Sequence, residues 1–237
     1  LKWQKKCLKK LTMKNKNIFV ACDVSSQEEI IALLELIHKD IAGIKIGLQY
    51  ITQRSPDDIR ELSRFKKPIF YDGKFFDIKN TLVESVKSLS DLNVSYATVH
   101  LLNGLDALKA ANIAAQKIDL NLLGVSILTS FSDEDLKNLG FNNKIQDQVI
   151  KLVEIAMKAE LHGVICSPLE IKMIKKIAPN LKCFTPGIRI GNEKDDQKRT
   201  MTANEAIKEG SDFLIIGRPI TKGNPKENIR NILSSIN

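Results

Sequence analysis

Short apolar runs rich in β-branched residues alternate with longer amphipathic segments along most of this sequence. Brief apolar runs are typical of buried strands, whereas apolar positions recurring every three or four residues are typical of helices. The pattern predicts eight strands, at residues 18–23, 41–47, 68–74, 94–101, 120–128, 163–167, 182–189 and 213–218. It predicts helices between and after them, near residues 27–39, 56–65, 81–92, 105–118, 145–160, 169–177, 203–209 and 226–235.

Most predicted strands are apolar on both faces, which is typical of parallel strands covered by helices. Eight strand–helix units favour a closed α/β barrel over an open sheet, and no G-x-G-x-x-G or Walker motif follows any strand. Such a barrel takes about 250 residues, and the chain has 237. The sequence therefore predicts a single (β/α)8 TIM barrel, formed by residues 13–237.

The net charge of +8 is concentrated at the beginning of the chain. Seven lysines and no acidic residue precede Ile18, so the rest of the chain carries only about +1. Residues 1–12 fit either a basic amphipathic helix on a membrane or nucleic acid, or a disordered extension before a natural start at Met13. We favour the extension, because short isolated helices are marginal. No secretory signal or membrane-spanning run is evident, and we expect neither a membrane nor a nucleic-acid partner.

The four cysteines form no C-x-x-C pair, and Cys22, Cys166 and Cys183 lie within apolar runs. They are typical of reduced core residues in a cytoplasmic protein. The three histidines show no metal-ligand spacing with them, so we expect no metal site and no cofactor.

Polar residues occur where the predicted strands end, which is where the active site of a TIM barrel lies. They fall at the ends of strands one, three, four, seven and eight, late in strand two and just after strand five. These residues are Asp23, Lys45, Asp72, Lys74, His100, Thr129, Arg189 and Arg218. Any one of them is explained by a strand entering solvent, but charges inside apolar runs are not, because burying an unpaired charge is costly. We interpret His100 as a hydrogen-bonded strand-end residue rather than a catalytic base.

Asp72 and Lys74 are two residues apart, so they share one face of a strand. Lys45 lies in the apolar stretch G-I-K-I-G, where a lone lysine is out of place. Lysines and aspartates placed together keep one another ionised, at a desolvation cost that seldom increases stability. A structural salt-bridge network is one interpretation, and a functional charge cluster is the interpretation we favour.

Residues 72–81 read D-G-K-F-F-D-I-K-N-T, which resembles the signature of the orotidine 5′-monophosphate decarboxylase family. Further stretches resemble the same family in order along the chain, at residues 21–23, 44–47, 128–130, 185–189, 195–199 and 216–221. Lys79 stands where the family usually has proline. Residues 100–104 are less glycine-rich than the corresponding family segment.

The resemblance implies decarboxylation of orotidine 5′-monophosphate to uridine 5′-monophosphate without a cofactor, with Lys74 as the proton donor. It implies that Asp72 and Lys45 complete the charge network and that Asp77 reaches the neighbouring site of a homodimer. It also implies that a polar lid at residues 190–200 closes over the nucleotide. The substrate-binding residues that it implies are Asp23, Lys45, Thr81, Thr129, Pro186, Arg189, Gln197, Gly217 and Arg218.

Two alternatives remain. The first is a magnesium-dependent sugar-phosphate enzyme of the same barrel group, such as hexulose-6-phosphate synthase, which shares the D-x-K-x-x-D core. The sequence after Asp77 and the D-D-Q stretch at residues 195–197 favour the pyrimidine enzyme. The second is a basic scaffold that binds nucleic acid through its lysine-rich start, which the nearly neutral remainder does not favour.

Overall fold

Eight parallel strands close into a barrel in the computed structural model, which describes residues 17–24, 26–189 and 199–236. The barrel strands are β1 (Ile18–Ala21), β2 (Gly43–Gly47), β3 (Ile69–Phe75), β4 (Tyr96–His100), β5 (Asn121–Val125), β6 (Gly163–Ile165), β7 (Lys182–Thr185) and β10 (Phe213–Ile216). Around the barrel the order is β1-β10-β7-β6-β5-β4-β3-β2, so consecutive barrel strands along the chain are neighbours. The predicted TIM barrel is confirmed.

Several predicted strands are too long, and two of them include an arginine that lies outside the barrel sheet. The seventh strand ends at Thr185, because Pro186 has no N–H for the ladder and Gly187 turns the chain with a φ of 81°. Arg189 instead lies in β8 (Ile188–Arg189), which pairs with β9 (Met201–Thr202) in a separate two-stranded sheet. The eighth barrel strand ends at Ile216, and Arg218 begins a short helix that has proline in its first turn.

Helices connect the strands and cover the outside of the barrel. They are Gln27–Ile37, Leu48–Ile51, Pro56–Glu61, Lys79–Lys87, Leu105–Lys117, Asp133–Asn138, Ile145–Lys158, Ile171–Ile177, Ala203–Lys208, Arg218–Thr221 and Pro225–Ile236. Three of them were not predicted, namely Leu48–Ile51, Asp133–Asn138 and Arg218–Thr221. Each is at most six residues long, too short for a helical periodicity to be read.

Alternate residues of each strand enter two different cores. On β1, Phe19 faces the barrel interior, while Ile18 and Val20 face the surrounding helices. On β4, Tyr96 is interior, and Ala97 packs outward. This division explains why the strands are apolar on both faces, and it directs every second residue at a strand's carboxyl end into the barrel mouth.

No helix among residues 17–24, 26–189 and 199–236 is long and apolar enough to cross a membrane. The predicted extension at residues 1–12 lies outside the described residues. So does most of the predicted lid, since the description ends at Arg189 and resumes at Arg199.

Candidate active site

Four charged side chains alternate in sign across three neighbouring strand ends. Lys45 Nζ lies 3.2 Å from Asp23 Oδ1 and 3.5 Å from Asp72 Oδ2. Lys74 Nζ lies 2.9 Å from the same Asp72 Oδ2. Lys45 and Asp72 share the interior face with Lys74 because all three follow the period-two alternation of β2 and β3. We call Asp23, Lys45, Asp72 and Lys74 the charged row.

Burial and charge act in opposite directions on the two innermost members of this row. Burial raises the pKa of Asp72, but the ammoniums of Lys45 and Lys74 and the hydrogen bonds to it outweigh burial and hold that pKa below its usual value. Burial likewise lowers the pKa of Lys45, and the carboxylates of Asp72 and Asp23 outweigh it and raise that pKa. Both groups are therefore ionised at neutral pH.

Gly47 allows this close approach. A Cβ atom at this position would lie 2.7 Å from Asp23 Oδ1 and 3.0 Å from Lys45 Nζ. Those separations are shorter than ordinary van der Waals contacts with carbon, so any larger residue would displace the ion pair. The glycine at the end of β2 therefore makes room for the two charges beside it.

A layer of aromatic rings fills the barrel beneath the charged row. Phe70 precedes Asp72 by two residues on the interior face of β3, so its ring lies one layer deeper in the barrel. It packs against Phe19, Tyr96 and Phe184 with ring centroids 6.0 to 6.4 Å apart, and Phe213 stacks on Phe184 at 4.6 Å. Burial raises the pKa of Tyr96 to about 12. Such an apolar base strengthens the electrostatic interactions above it.

A cavity of about 340 Å³ opens above this layer at the carboxyl ends of the strands. The cavity also has an apolar wall, which includes Val125, Ile127, Leu128, Ile165 and Ile215. The residues that were predicted from sequence and that line it are Asp23, Lys45, Asp72, Lys74, Thr129, Pro186, Arg189, Gly217 and Arg218. One pocket therefore combines an ion network, an apolar wall and cationic side chains.

Two predicted residues do not line this cavity, and a third lies outside the described residues. Asp77 is exposed on the turn after β3, where its Oδ1 accepts a hydrogen bond from the backbone N–H of Ile78. Thr81 is exposed on the helix that follows. Gln197 falls between Arg189 and Arg199, beyond the described part of the chain.

Sequence reasoning missed an ion pair behind the apolar wall. The Arg199 guanidinium contacts the Glu170 carboxylate, which is only 1% exposed, and donates to the backbone carbonyl of Leu128 over 2.8 Å. Glu170 also accepts from the backbone N–H of Ser167 at 2.9 Å. Arg199 was noted only within the loop motif, and Glu170 stands in a polar S-P-L-E turn that gives no sign of burial.

His100 lies at the end of β4, near the Lys74 charge. His100 Nδ1 accepts a hydrogen bond from the backbone N–H of Leu102, as expected for a strand-end histidine. Burial and the Lys74 charge lower the pKa of His100, so the ring is neutral at neutral pH. Among the described residues, no group of three or more His, Cys, Asp and Glu side chains is arranged to hold a metal ion.

The chain is similar to known proteins over nearly its whole length. Residues 16–232 match the family described as "Orotidine 5'-phosphate decarboxylase / HUMPS family". The chain is 38% identical over 221 residues to an orotidine 5'-phosphate decarboxylase of Wolbachia sp. subsp. Brugia malayi (strain TRS), with 92% of this chain and 98% of that protein covered. It is 39% identical over 227 residues to the protein of the same name from Lawsonia intracellularis (strain PHE/MN1-00), with the same coverages.

The fold is also similar to that of a solved structure. The crystal structure of orotidine 5'-phosphate decarboxylase from Lactobacillus acidophilus matches with a TM-score of 0.82 at 30% sequence identity. The match covers 94% of this chain and 100% of that one. From the family match and these identities, the chain belongs to the orotidine 5'-phosphate decarboxylase / HUMPS family.

Proposed function

We propose that this chain is a cofactor-independent carboxy-lyase that converts orotidine 5′-monophosphate to uridine 5′-monophosphate, a step of pyrimidine nucleotide synthesis. The observation that carries the proposal is the charged row inside the barrel mouth, with the Lys74 ammonium at its cavity end. Family membership and the names of the relatives support the same substrate.

Lys74 has two tasks in this reaction. Decarboxylation breaks the bond between C6 of the pyrimidine and its carboxylate carbon and leaves the electron pair on C6. The Lys74 ammonium stabilises that developing charge and then transfers a proton from Nζ to C6. Its side chain is 34% exposed and reaches the cavity while Asp72 holds Nζ at 2.9 Å. A charge that is already in place when the reaction begins is often the largest catalytic contribution.

The other members of the charged row orient Lys74 and the sugar. Asp72 holds the ammonium in place and lies beside the substrate carboxylate. Lys45 pairs with Asp72 and contacts the ribose. Asp23 accepts a hydrogen bond from a ribose hydroxyl, consistent with a carboxylate whose side chain is half exposed at the cavity wall.

The phosphate and base are held by the remaining cavity residues. Arg218 binds the phosphate bidentately, and Gly217 lets the main chain approach it. Thr129 reads the base beside the apolar wall, and Pro186 and Arg189 complete the rim. The presence of all five in the lining of one cavity supports this assignment. Gln197 is proposed to close over the phosphate and base from the segment between Arg189 and Arg199.

We propose that the active form is a homodimer in which Asp77 and Thr81 enter the partner's site. Neither residue lines the cavity of its own chain, and both are exposed on the turn and helix after β3. Apolar side chains flank Asp77, since Phe76 is 63% and Ile78 is 74% exposed. Such a surface is typical of a subunit interface, in which the partner would bury the apolar side chains and Asp77 would enter the partner's site.

A magnesium-dependent sugar-phosphate reaction fits these residues less well. A divalent cation needs carboxylate oxygens free to bind it. Here the Lys45 ammonium lies between Asp23 and Asp72, at 3.2 Å and 3.5 Å from their oxygens, where a bridging cation would have to lie. The carboxylates of the charged row are thus already neutralised by lysines of the same chain.

We place the protein in the cytoplasm. The three cysteines in the described part of the chain are buried free thiols. Buried thiols that never pair are typical of reducing compartments. Fluorescence microscopy of a fusion protein tests this location, and a signal confined to the cell envelope would contradict it.

A spectrophotometric assay tests the reaction directly. Loss of orotidine 5′-monophosphate absorbance should occur at the same rate with and without a chelator, and uridine 5′-monophosphate and carbon dioxide should form in equal amounts. Hexulose 6-phosphate serves as the control substrate. Activity on the sugar phosphate that needs magnesium, without activity on the nucleotide, would refute the proposal.

A further inference from the structure

Thr98 is a fully buried residue in the middle of β4 that contacts two members of the charged row. Its hydroxyl donates to Asp72 Oδ1 at 3.0 Å and accepts from the backbone N–H of Lys74 at 2.9 Å. One side chain therefore holds the carboxylate of one residue and the main chain of the other. Thr98 itself does not line the cavity.

The main chain of Lys74 needs such support. Five non-glycine residues in the described part of the chain have a positive φ, and four of them follow the ends of helices, where this conformation is common. Lys74, at a φ of 47°, is the exception because it lies within β3. A left-handed residue of this type costs about 1–3 kcal/mol and persists when its surroundings impose it.

The pairing of β3 with β4 is irregular at the same place. Tyr71 pairs with Ala97 and Phe75 with Val99, so the three residues of β3 between these pairs lie opposite a single residue of β4 and the register shifts there. Asp72 and Lys74 both lie in this irregular segment. Thr98 lies opposite it, between the two paired residues of β4, and supplies a side-chain hydrogen-bond partner there. Irregular segments of this kind redirect side chains.

The two carboxylate oxygens of Asp72 have different partners. Oδ1 accepts from Thr98, while Oδ2 faces both Lys74, at 2.9 Å, and Lys45, at 3.5 Å. The Thr98 hydroxyl thereby fixes the rotation of the carboxyl group and directs one oxygen to both ammoniums.

We propose that Thr98 is a positioning residue for the decarboxylation, which sets the Lys74 ammonium and the Asp72 carboxylate relative to each other without touching the substrate. This inference rests on the proposed function. It predicts that loss of the hydroxyl lowers turnover more than nucleotide affinity, because the contacts of Thr98 involve the charged row and not the phosphate or base.

Three variants at this position test the inference. Thr98→Val keeps the side-chain shape and removes the hydroxyl, and Thr98→Ser and Thr98→Ala differ from each other mainly in that group. We expect kcat of Thr98→Val and Thr98→Ala to fall about 10²-fold with KM nearly unchanged, and Thr98→Ser to stay within about tenfold of the original chain. Should the valine variant fail to fold, the serine–alanine pair still isolates the hydroxyl.

Thr185→Val provides a matched control. Thr185 is also fully buried in a barrel strand, but its hydroxyl is 2.7 Å from that of Ser211, remote from the charged row. We expect it to lose stability without the fall in kcat. Equal kcat for Thr98→Ala and Thr98→Ser, or an equal fall in Thr185→Val, would overturn the role of Thr98.

A second measurement separates this inference from the proposed function. Carbon-13 NMR titration of the Asp72 carboxyl should give a higher pKa in Thr98→Val than in the original chain, because the hydroxyl bond favours the ionised form. If the original chain is inactive on orotidine 5′-monophosphate, the proposed function is refuted, and the Asp72 titration alone tests the hydrogen bond from Thr98. An active original chain with an unaltered titration and unaltered kcat in the valine variant would refute the inference alone.

Discussion

Lys45 and Asp72 form an ion pair across β2 and β3, with 3.5 Å between Nζ and Oδ2 and only 7% of the lysine side chain exposed. Taking two charges out of water costs several kcal/mol per ion, and their attraction repays this only when further contacts are good. Asp23, Lys74 and Thr98 supply those contacts. The pair is therefore stable as part of a network rather than by itself.

Acid pH should destabilise the fold through Asp72. Its pKa in the folded state lies below its value of about 3.9 in an unfolded chain. Between the folded and the unfolded pKa, the unfolded state binds more protons than the folded state. The stability that Asp72 contributes is therefore fully present above about pH 4 and is lost as the pH falls through the lower, folded pKa. Urea unfolding between about pH 5 and 2 should show a steeper loss for the original chain than for Asp72→Asn. Parallel curves would contradict this assignment.

Lys74→Ala should abolish turnover in a folded protein. A positioned proton donor contributes about 10²–10⁴-fold to a rate, and the same ammonium also stabilises the carbanion, so we expect a loss at least that large. Steady-state assays and circular dichroism measure the two properties. Lys87→Ala is the control, because Lys87 is paired with Glu84 on the surface of a helix and does not line the cavity. Near-normal turnover in Lys74→Ala would exclude Lys74 as the donor.

Mixed dimers should recover activity that neither parent has. Asp77→Ala removes the residue proposed to enter the partner's site, and Lys74→Ala removes the donor of its own site. A hybrid of the two contains one site with both groups intact, so we expect up to about one quarter of normal turnover at full, random exchange. Native mass spectrometry confirms that subunits have exchanged. Exchange without recovery would argue against shared sites.

Gly47→Ala should weaken the site without unfolding the barrel. The added methyl group would meet Asp23 Oδ1 at 2.7 Å and Lys45 Nζ at 3.0 Å and push them apart. Overpacking of this kind costs about 1–3 kcal/mol. We expect a lower unfolding free energy and a raised KM, since both displaced groups are proposed to contact the ribose. Gly124→Ala is the control for crowding away from the cavity: a Cβ there would meet the Leu101 side chain at 2.5 Å, so we expect a lower unfolding free energy with KM unchanged.

Glu170→Gln should destabilise the wall behind the cavity. It leaves the Arg199 guanidinium buried without its carboxylate, and breaking a buried pair in this way costs about 3–5 kcal/mol. The double variant Glu170→Gln with Arg199→Met should recover part of that loss, because no unpaired charge remains. Urea unfolding of the three proteins measures the effect. A double variant as unstable as the single one would show that the pair is not the cause.

Much of the barrel could be predicted because its strands repeat one pattern. Phe19, Phe70 and Tyr96 are apolar residues in runs that are apolar on both faces, and that property marks covered parallel strands. The two-residue spacing of Asp72 and Lys74 predicted that they share a strand face, and the structure places both with Lys45 in the lining of one cavity.

Other parts of the site depend on contacts that no local pattern encodes. Thr98 stands in the stretch Y-A-T-V-H as one small residue among apolar ones, and only the register of β4 against β3 shows that it meets Asp72. Arg199 and Glu170 are 29 residues apart in sequence, and only the tertiary fold brings them together as an ion pair. The departure of Arg189 from the barrel follows from the positive φ of Gly187, which a sequence permits but does not dictate.

The aromatic layer that fills the barrel closes the inner end of the cavity. The rings of Phe19, Phe70, Phe184 and Phe213 pack against one another below the charges, so the described residues fill the barrel interior beneath the cavity. The nucleotide and carbon dioxide would then pass through the same opening of the cavity. Carbon dioxide would then leave either past the bound uridine 5′-monophosphate or after it, so the shape of the cavity would determine the order of product release.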